Sequence, residues 1–132
     1  MNAATIQTAI EQRLAAVSGL TATPGALDMS VNAKDLPVAW AVFEGYETSE
    51  EWTQSADVAA RWRVPVVFSY NRDTFPAEIV SVIPAIHAAF RDGIDGCGRV
   101  TVEDGGEPEA LGEAAASFLV RKILFVRVEF EE

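Results

Sequence analysis

Apolar and polar residues alternate along the last fifteen residues of the chain, from Phe118 to Glu132. Every second residue from Phe118 to Phe130 is apolar except Lys122. The row reads Phe118, Val120, Lys122, Leu124, Val126, Val128, Phe130. Residues 58–70 have the same pattern: Val58, Ala60, Trp62, Val64, Val66, Phe68, Tyr70. A period of two places side chains on one side of a β-strand, so both stretches are predicted to be long strands. We expect them to share one antiparallel sheet, whose helix-facing residues are Trp62, Val64, Val66, Leu124, Val126 and Val128.

Two other stretches have the 3.6-residue period of amphipathic helices. The apolar face of the first is Ile6, Ile10, Leu14 and Val17. The apolar face of the second is Ile79, Ile83, Ile86 and Phe90. Asn2 is a suitable N-cap for the first helix, and Gly19 is a suitable stop. Pro84 should kink the second helix, which we expect to end at Asp92-Gly93.

The remaining segments complete an α+β prediction. Residues 36–43 are apolar on both faces, which favours a strand inside the sheet that begins at Pro37. Val100 and Val102 indicate a short strand, followed by a turn at Asp104-Gly105-Gly106, while residues 110–117 fit a short helix or a loop. We therefore expect one domain over residues 1–132, a mostly antiparallel sheet with two main helices packed on one face and a long acidic hairpin.

Negative charge is concentrated in two segments. Residues 44–57, which we expect to form the long hairpin, hold five acidic residues and no lysine or arginine. Residues 92–113 hold seven acidic residues and one basic residue, Arg99. The net charge of the whole chain is -10. Such a balance argues against non-specific binding to nucleic acid or to an anionic membrane surface.

The sequence offers few residues for catalysis or metal binding. His87 and Cys97 are the only histidine and cysteine, so they cannot build a four-ligand zinc site within the chain. No serine lies in a Gly-x-Ser-x-Gly elbow, and the acidic surroundings of Cys97 do not favour a thiolate. We expect no enzymatic activity, no cofactor and no metal. A carboxylate-based hydrolase or a divalent-ion site stays open without support.

Four arginines are predicted to lie on the face of the sheet that points away from the helices: Arg61, Arg63, Arg121 and Arg127. One interpretation is a solvated face with local ion pairs, each of which contributes little. The other is a contact face for an acidic partner, because arginine is favoured at interfaces. In that case the partner segments would be the two acidic segments of another copy, residues 44–57 and 92–113. The candidate contacts of the first segment are Glu47, Glu50, Glu51 and Trp52.

The order of these elements resembles a known family. The first phrase is Leu36-Pro37-Val38-Ala39-Trp40-Ala41-Val42-Phe43-Glu44-Gly45, and after an acidic stretch the second is Ala60-Arg61-Trp62-Arg63-Val64-Pro65-Val66-Val67-Phe68. A helix that opens near a proline and a long final strand follow. This order is similar to that of the tail terminator, or tail completion, proteins of long-tailed bacteriophages, above all the lambda type. The resemblance covers nearly the whole chain and includes no invariant chemical motif.

The resemblance implies a structural virion protein that assembles as a six-membered ring on the head-proximal end of the tail. The ring would stop polymerisation of the tail tube and join the head-side connector protein. DNA would pass through without specific binding, and assembly would take place in the host cytoplasm, with no membrane involved. Gene transfer agents and prophage remnants carry similar proteins. The alternatives are another head–tail connector or stopper protein and, from a different class, a small ligand-binding domain or enzyme.

Overall fold

The structure, a computed structural model, describes residues 2–23, 37–47, 57–70, 75–114 and 117–131. Within these ranges the chain forms two helices and a seven-stranded, mostly antiparallel sheet, which confirms the α+β prediction. The elements are α1 (Ala3–Ala15), β1 (Thr21–Ala22), β2 (Val38–Ala39), β3 (Val42–Glu47), β4 (Asp57–Tyr70), α2 (Phe75–Ala89), β5 (Val100–Asp104), β6 (Glu109–Ala114) and β7 (Ser117–Glu131).

The two long strands pair along their whole lengths at the centre of the sheet. The register of β4 and β7 is unbroken from Asp57↔Glu131 to Tyr70↔Phe118. Their helix-facing row is buried as predicted: Trp62, Val64, Val66, Leu124, Val126 and Val128 are all 0% exposed. Both helices pack on this row in one core, which α1 enters through Ile6, Ile10 and Leu14. The alternation in the sequence thus predicted both the strands and the face that the helices cover.

Helix α1 begins and packs as its sequence predicted. The Asn2 side chain accepts a hydrogen bond from the Thr5 backbone N–H at 2.9 Å, which satisfies a free donor of the first turn. The helix ends at Ala15, and a turn continues to Gly19, whose φ of 79° lies in the left-handed region that glycine adopts easily. Leu20 then folds back into the core.

The packing face of α2 is rotated relative to the prediction. Val82, Ile86 and Phe90 are buried, whereas Ile79 and Ile83 are only half-buried. The helix continues past Pro84, which is exposed, and the predicted kink stays a prediction. It ends at Ala89, three residues before Asp92, because a turn over residues 90–93 follows it.

Strands β2 and β3 pair with β4 in the same register, and the pairing is interrupted between the two strands. The register runs from Val38↔Val67 and Ala39↔Val66 to Val42↔Arg63, which leaves Trp40 opposite Pro65. Proline has no N–H to donate, so a break in the hydrogen-bonded ladder is expected there. At Gly45 the register then shifts by one residue in a β-bulge.

The predicted acidic hairpin begins later than expected. Its first four residues, 44–47, belong to β3 and pair with β4 as far as Glu47↔Ala59, so they are part of the sheet. Its last residue, Asp57, begins β4. The prediction for residues 48–56, which include Glu50, Glu51 and Trp52, falls outside the described residues.

The second acidic segment lies along the free side of β7. Strand β5 pairs with the C-terminal part of β7, and β6 pairs with its N-terminal part. The expectation of a helix or loop over residues 110–117 was wrong for residues 110–114, which extend β6 because β7 offers unpaired backbone groups there. Between β5 and β6, Asp104 accepts a hydrogen bond from the Gly106 N–H at 2.7 Å. The predicted turn at Asp104-Gly105-Gly106 was wrong, because the chain does not reverse there: β6 continues along β7 in the direction of β5.

Candidate interaction surface

The face of the sheet opposite the helices carries the four arginines of the sequence prediction. Arg61 and Arg63 lie on β4, and Arg121 and Arg127 lie on β7, all at positions that alternate with buried residues. Arg61 and Arg127 stand directly opposite each other in the register. The structure therefore brings the four arginines to one face, which we call the open face.

Arg127, Arg121 and Arg61 each contact a carboxylate among the described residues. The Nε of Arg127 lies 2.9 Å from each carboxylate oxygen of Glu47, and a second nitrogen lies 3.1 Å from Glu129. Arg121 lies 3.3 Å from Glu109. The hydrogen bond that Arg127 donates to Glu47 is the largest cause of its raised pKa, which keeps this guanidinium charged.

Arg61 is held in a different way. Its Nε lies 3.5 Å from Glu44, and its guanidinium carbon lies 3.7 Å above the centre of the Phe125 ring. A cation over an aromatic face is attracted by the ring's electrons, an effect of about 0.5–1 kcal/mol at an exposed site. Sequence reasoning identified these arginines but not their carboxylate partners, because the partners come from β3, from β6 and from the neighbouring position on β7.

These contacts change the interpretation of the charge pattern. Glu44 and Glu109 belong to the two acidic segments. They form ion pairs with arginines of the same chain, whereas the sequence prediction paired them with arginines of another copy. Of the predicted acidic contacts, the structure describes only Glu47, which binds Arg127. A contact of the open face with another molecule stays a prediction. To form it, the arginines would have to exchange their carboxylate partners for those of the other molecule or bind both at once.

The open face also contains a small apolar cluster. Val38 lies on β2, and Trp40 directly follows this strand. These two residues cover Val67, and Val42 and Leu119 pack beside them. Residues 36–43 are apolar on both sides because each side packs in a different cluster. Ala39 and Ala41 face the main core, whereas Val38 and Trp40 form the small cluster on the open face. The indole N–H of Trp40 is buried and has no hydrogen-bond acceptor among the described residues.

Two further apolar sites are exposed on the helix side of the molecule. At the β3 edge, Phe43 and Tyr46 are 42% and 46% exposed, and their rings make an edge-on contact with centroids 5.5 Å apart. On α2, Val80 is 71% exposed. Sequence analysis missed Val80 because it considered only one apolar face of α2, formed by Ile79, Ile83, Ile86 and Phe90.

The candidate catalytic residues of the sequence, His87 and Cys97, lie on separate elements. His87 is exposed in the last turn of α2, and half-buried Cys97 follows in the loop before β5. Partial burial raises the pKa of the Cys97 thiol, which disfavours its nucleophilic form. Within the described ranges, no three His, Cys, Asp or Glu side chains are grouped as metal ligands.

Lys122, the exception in the apolar row of β7, is 8% exposed on the helix side. Its ammonium group lies 2.6 Å from the Asp104 carboxylate and also donates to the Gly106 carbonyl. These acceptors sit in the link between β5 and β6, so Lys122 ties that link to β7. Its role is therefore structural.

Neither of the two helices that the structure describes is long and apolar enough to cross a bilayer. Comparison of the chain with protein-family models and with curated proteins finds no match.

Proposed function

We propose that the protein is a tail terminator of a long-tailed bacteriophage, or the equivalent protein of a prophage or gene transfer agent. It caps the tail tube at its head-proximal end as a homo-oligomeric ring, ends tube polymerisation and offers the surface to which the head-side connector binds. It acts through binding and shape, without catalysis, and DNA passes through the ring.

The order of the elements carries the proposal. The resemblance rests on a helix, a strand around residues 36–43, a long strand, a helix and a long final strand. The corresponding elements are α1, β2 with β3, β4, α2 and β7, in the same order. The long pair formed by β4 and β7 gives a stiff platform about 45 Å long at about 3.3 Å per residue. A stiff platform with exposed ion pairs suits a protein that assembles through its surfaces.

The character of the surface gives separate support. The ion pairs described above lie across one face of the sheet, whereas an enzyme needs polar groups that converge in a pocket.

Tube assembly in vitro tests the proposal. The tail tube protein encoded beside this gene would be polymerised with and without the purified protein, and tube lengths and ends would be examined by electron microscopy. We expect shorter tubes with a ring at one end when the protein is present. Unchanged tubes with bare ends would refute the proposal. Binding to the head connector without any effect on tubes would indicate a stopper protein instead.

A further inference from the structure

The connection between β5 and β6 contains a bulge. The pairing of β5 with β7 ends at Asp104, and the pairing of β6 begins at Glu109. Between these residues the edge of the sheet has four residues, 105–108, which we call the link, whereas β7 has only Lys122 and Ile123. An uninterrupted strand places one residue opposite each residue of its neighbour. The link therefore holds two surplus residues, which bulge out of the ladder.

Lys122 lies directly opposite this bulge and holds it in place. On the helix side of the sheet, its ammonium group lies 2.6 Å from the Asp104 carboxylate and also donates to the Gly106 carbonyl. The Gly105 N–H donates to the Ile123 carbonyl at 2.9 Å, and a Cβ on Gly105 would lie only 2.6 Å from that oxygen. Because Lys122 is 8% exposed, the two acceptors supply the partners that a buried charge requires.

Strand β5 has a competing register on β7. A slip of two residues toward the C-terminal end of β7 would remove the surplus, and one uninterrupted strand would then continue into β6 at Glu109. Such a slip keeps every side chain of β5 on its own face of the sheet. Val102 would pair with Val128 instead of Val126, which is an apolar pair in either case. Apolar alternation therefore does not choose between the two registers.

The charged groups make the choice. In the slipped register, Asp104 would take the half-buried place that Val102 now fills opposite Val126, and Lys122 would stay buried without its acceptors. A buried charge without a partner costs more than a ladder hydrogen bond contributes. We propose that the contact of Lys122 with Asp104 and Gly106 fixes the register of β5, and that β5 slips by two residues when both charges are removed. Selection of one register is the best-attested use of a buried polar group.

The register of β5 also decides which carboxylates meet the arginines of the open face. Glu103 now lies opposite Phe125, and Arg127 is bound by Glu47. After the slip, Glu103 would lie opposite Arg127 and compete with Glu47 for its guanidinium. A contact of Lys122 on the helix side thus sets the charge pairing on the other side of the sheet.

A double variant, Lys122→Met with Asp104→Val, tests the proposal. It removes one positive and one negative charge, so the net charge stays at -10, and it places apolar residues at both positions. The NMR spectrum of wild type should show a cross-peak between the Hα protons of Val102 and Val126, which are paired. In the double variant, we expect a cross-peak between Val102 and Val128 in its place.

Hydrogen exchange gives a second readout. In the slipped register, Glu107 leaves the link and pairs with Ile123, so its amide should exchange about tenfold or more slowly than in wild type. Glu103→Val with Arg121→Met is the matched control, because it removes one charge of each sign from the same two strands but leaves the link untouched. The control should keep the wild-type cross-peak and the wild-type exchange rate at Glu107.

The proposal is overturned if the double variant shows no cross-peak between Val102 and Val128, or if the control shows one. Should the double variant melt without cooperativity, Lys122→Leu with Asp104→Thr takes its place. The inference does not depend on the tail-end role, because these measurements use no tail tubes.

Discussion

Glu47 and Arg127 bind each other across an intervening strand. Glu47 is on β3 and Arg127 is on β7, yet both carboxylate oxygens lie 2.9 Å from the arginine Nε. The strand between them is β4, and the residue paired with Glu47 there is Ala59, which is fully buried. A small side chain at this position leaves room for two long side chains to meet above the sheet. The ion pair therefore links three strands of the open face.

This geometry makes Glu47 more important for stability than Glu44. We expect Glu47→Ala to lower the free energy of unfolding by about 1 kcal/mol, since the pair is partly exposed and screened by water. Glu44→Ala is the control, because its contact with Arg61 is longer, at 3.5 Å, and more exposed. Urea denaturation of both variants would measure the difference. Equal losses would show that the link across β4 adds nothing.

The register of the central strands can be tested at Val126. This residue is fully buried opposite Trp62, so Val126→Asp should cost several kcal/mol, about 3 or more, and should unfold or aggregate the protein. Ile123→Asp on the other face of the same strand is the control and should cost less, because Ile123 is only half-buried. Solubility and thermal melting report the outcome. A normally melting Val126→Asp protein would contradict the register.

Stability in acid should depend on Asp104. The hydrogen bond from Lys122 is the largest cause that lowers the pKa of this carboxyl below its ordinary value of 3.8, so the folded chain holds its proton less tightly than the unfolded chain. The contribution of Asp104 is therefore complete above that ordinary value and is lost as the pH falls through the lowered one. We expect Asp104→Asn to be less stable than wild type at pH 7, with a difference that disappears in acid. Urea denaturation across this pH range is the measurement, and a constant difference would disprove the link.

Gly105 should tolerate no side chain. A Cβ at this position would lie 2.6 Å from the Ile123 carbonyl oxygen, a backbone atom that cannot move without shifting β7. We expect Gly105→Ala to cost about 1–3 kcal/mol of unfolding free energy. Gly98→Ala is the matched control, since its Cβ would lie 3.3 Å from the Glu129 carbonyl oxygen and needs only a small adjustment. Thermal melts that rank the two variants in the opposite order would contradict this close approach.

The sequence predicted what depends on local periodicity and missed what depends on neighbours. The row from Trp62 to Val66 and the row from Leu124 to Val128 identify their own buried face, because alternation is a property of one strand. Strand β6 carries no such alternation and forms because β7 offers an unpaired edge. The rotation of α2 likewise depends on where α1 and the sheet lie, and its apolar residues alone do not specify it.

The same distinction applies to the candidate site. Alternation placed the four arginines on one face, as the structure confirms for Arg61 and Arg127 by their direct pairing. Their partners could not be predicted, because Glu47 and Glu109 reach them only through the register of β3 and β6. The charges looked separated along the chain, yet folding brings them together. The hypothesis that the arginines bind another subunit therefore needs a test in which the monomer stays folded.

A charge swap provides that test. Arg127→Glu alone would place a third carboxylate beside Glu47 and Glu129, so we expect it to destabilise the monomer by more than the loss of one ion pair, about 1–2 kcal/mol. Adding Glu47→Arg should recover much of this loss, because the pair re-forms with its ends exchanged and the net charge stays at -10. Urea denaturation of the two single variants and the double variant gives the coupling energy.

The recovered double variant then separates folding from assembly. If the open face binds the tail tube or a neighbouring subunit through Arg127, the swapped protein should fold normally and fail to cap tubes, because a carboxylate now stands where the partner meets a guanidinium. Arg63→Glu, which lies on the same face two positions from Arg61, should add to that failure. Normal capping by the swapped protein, alone and with Arg63→Glu, would mean that the open face is a solvated surface with internal ion pairs. Assembly would then have to use other surfaces.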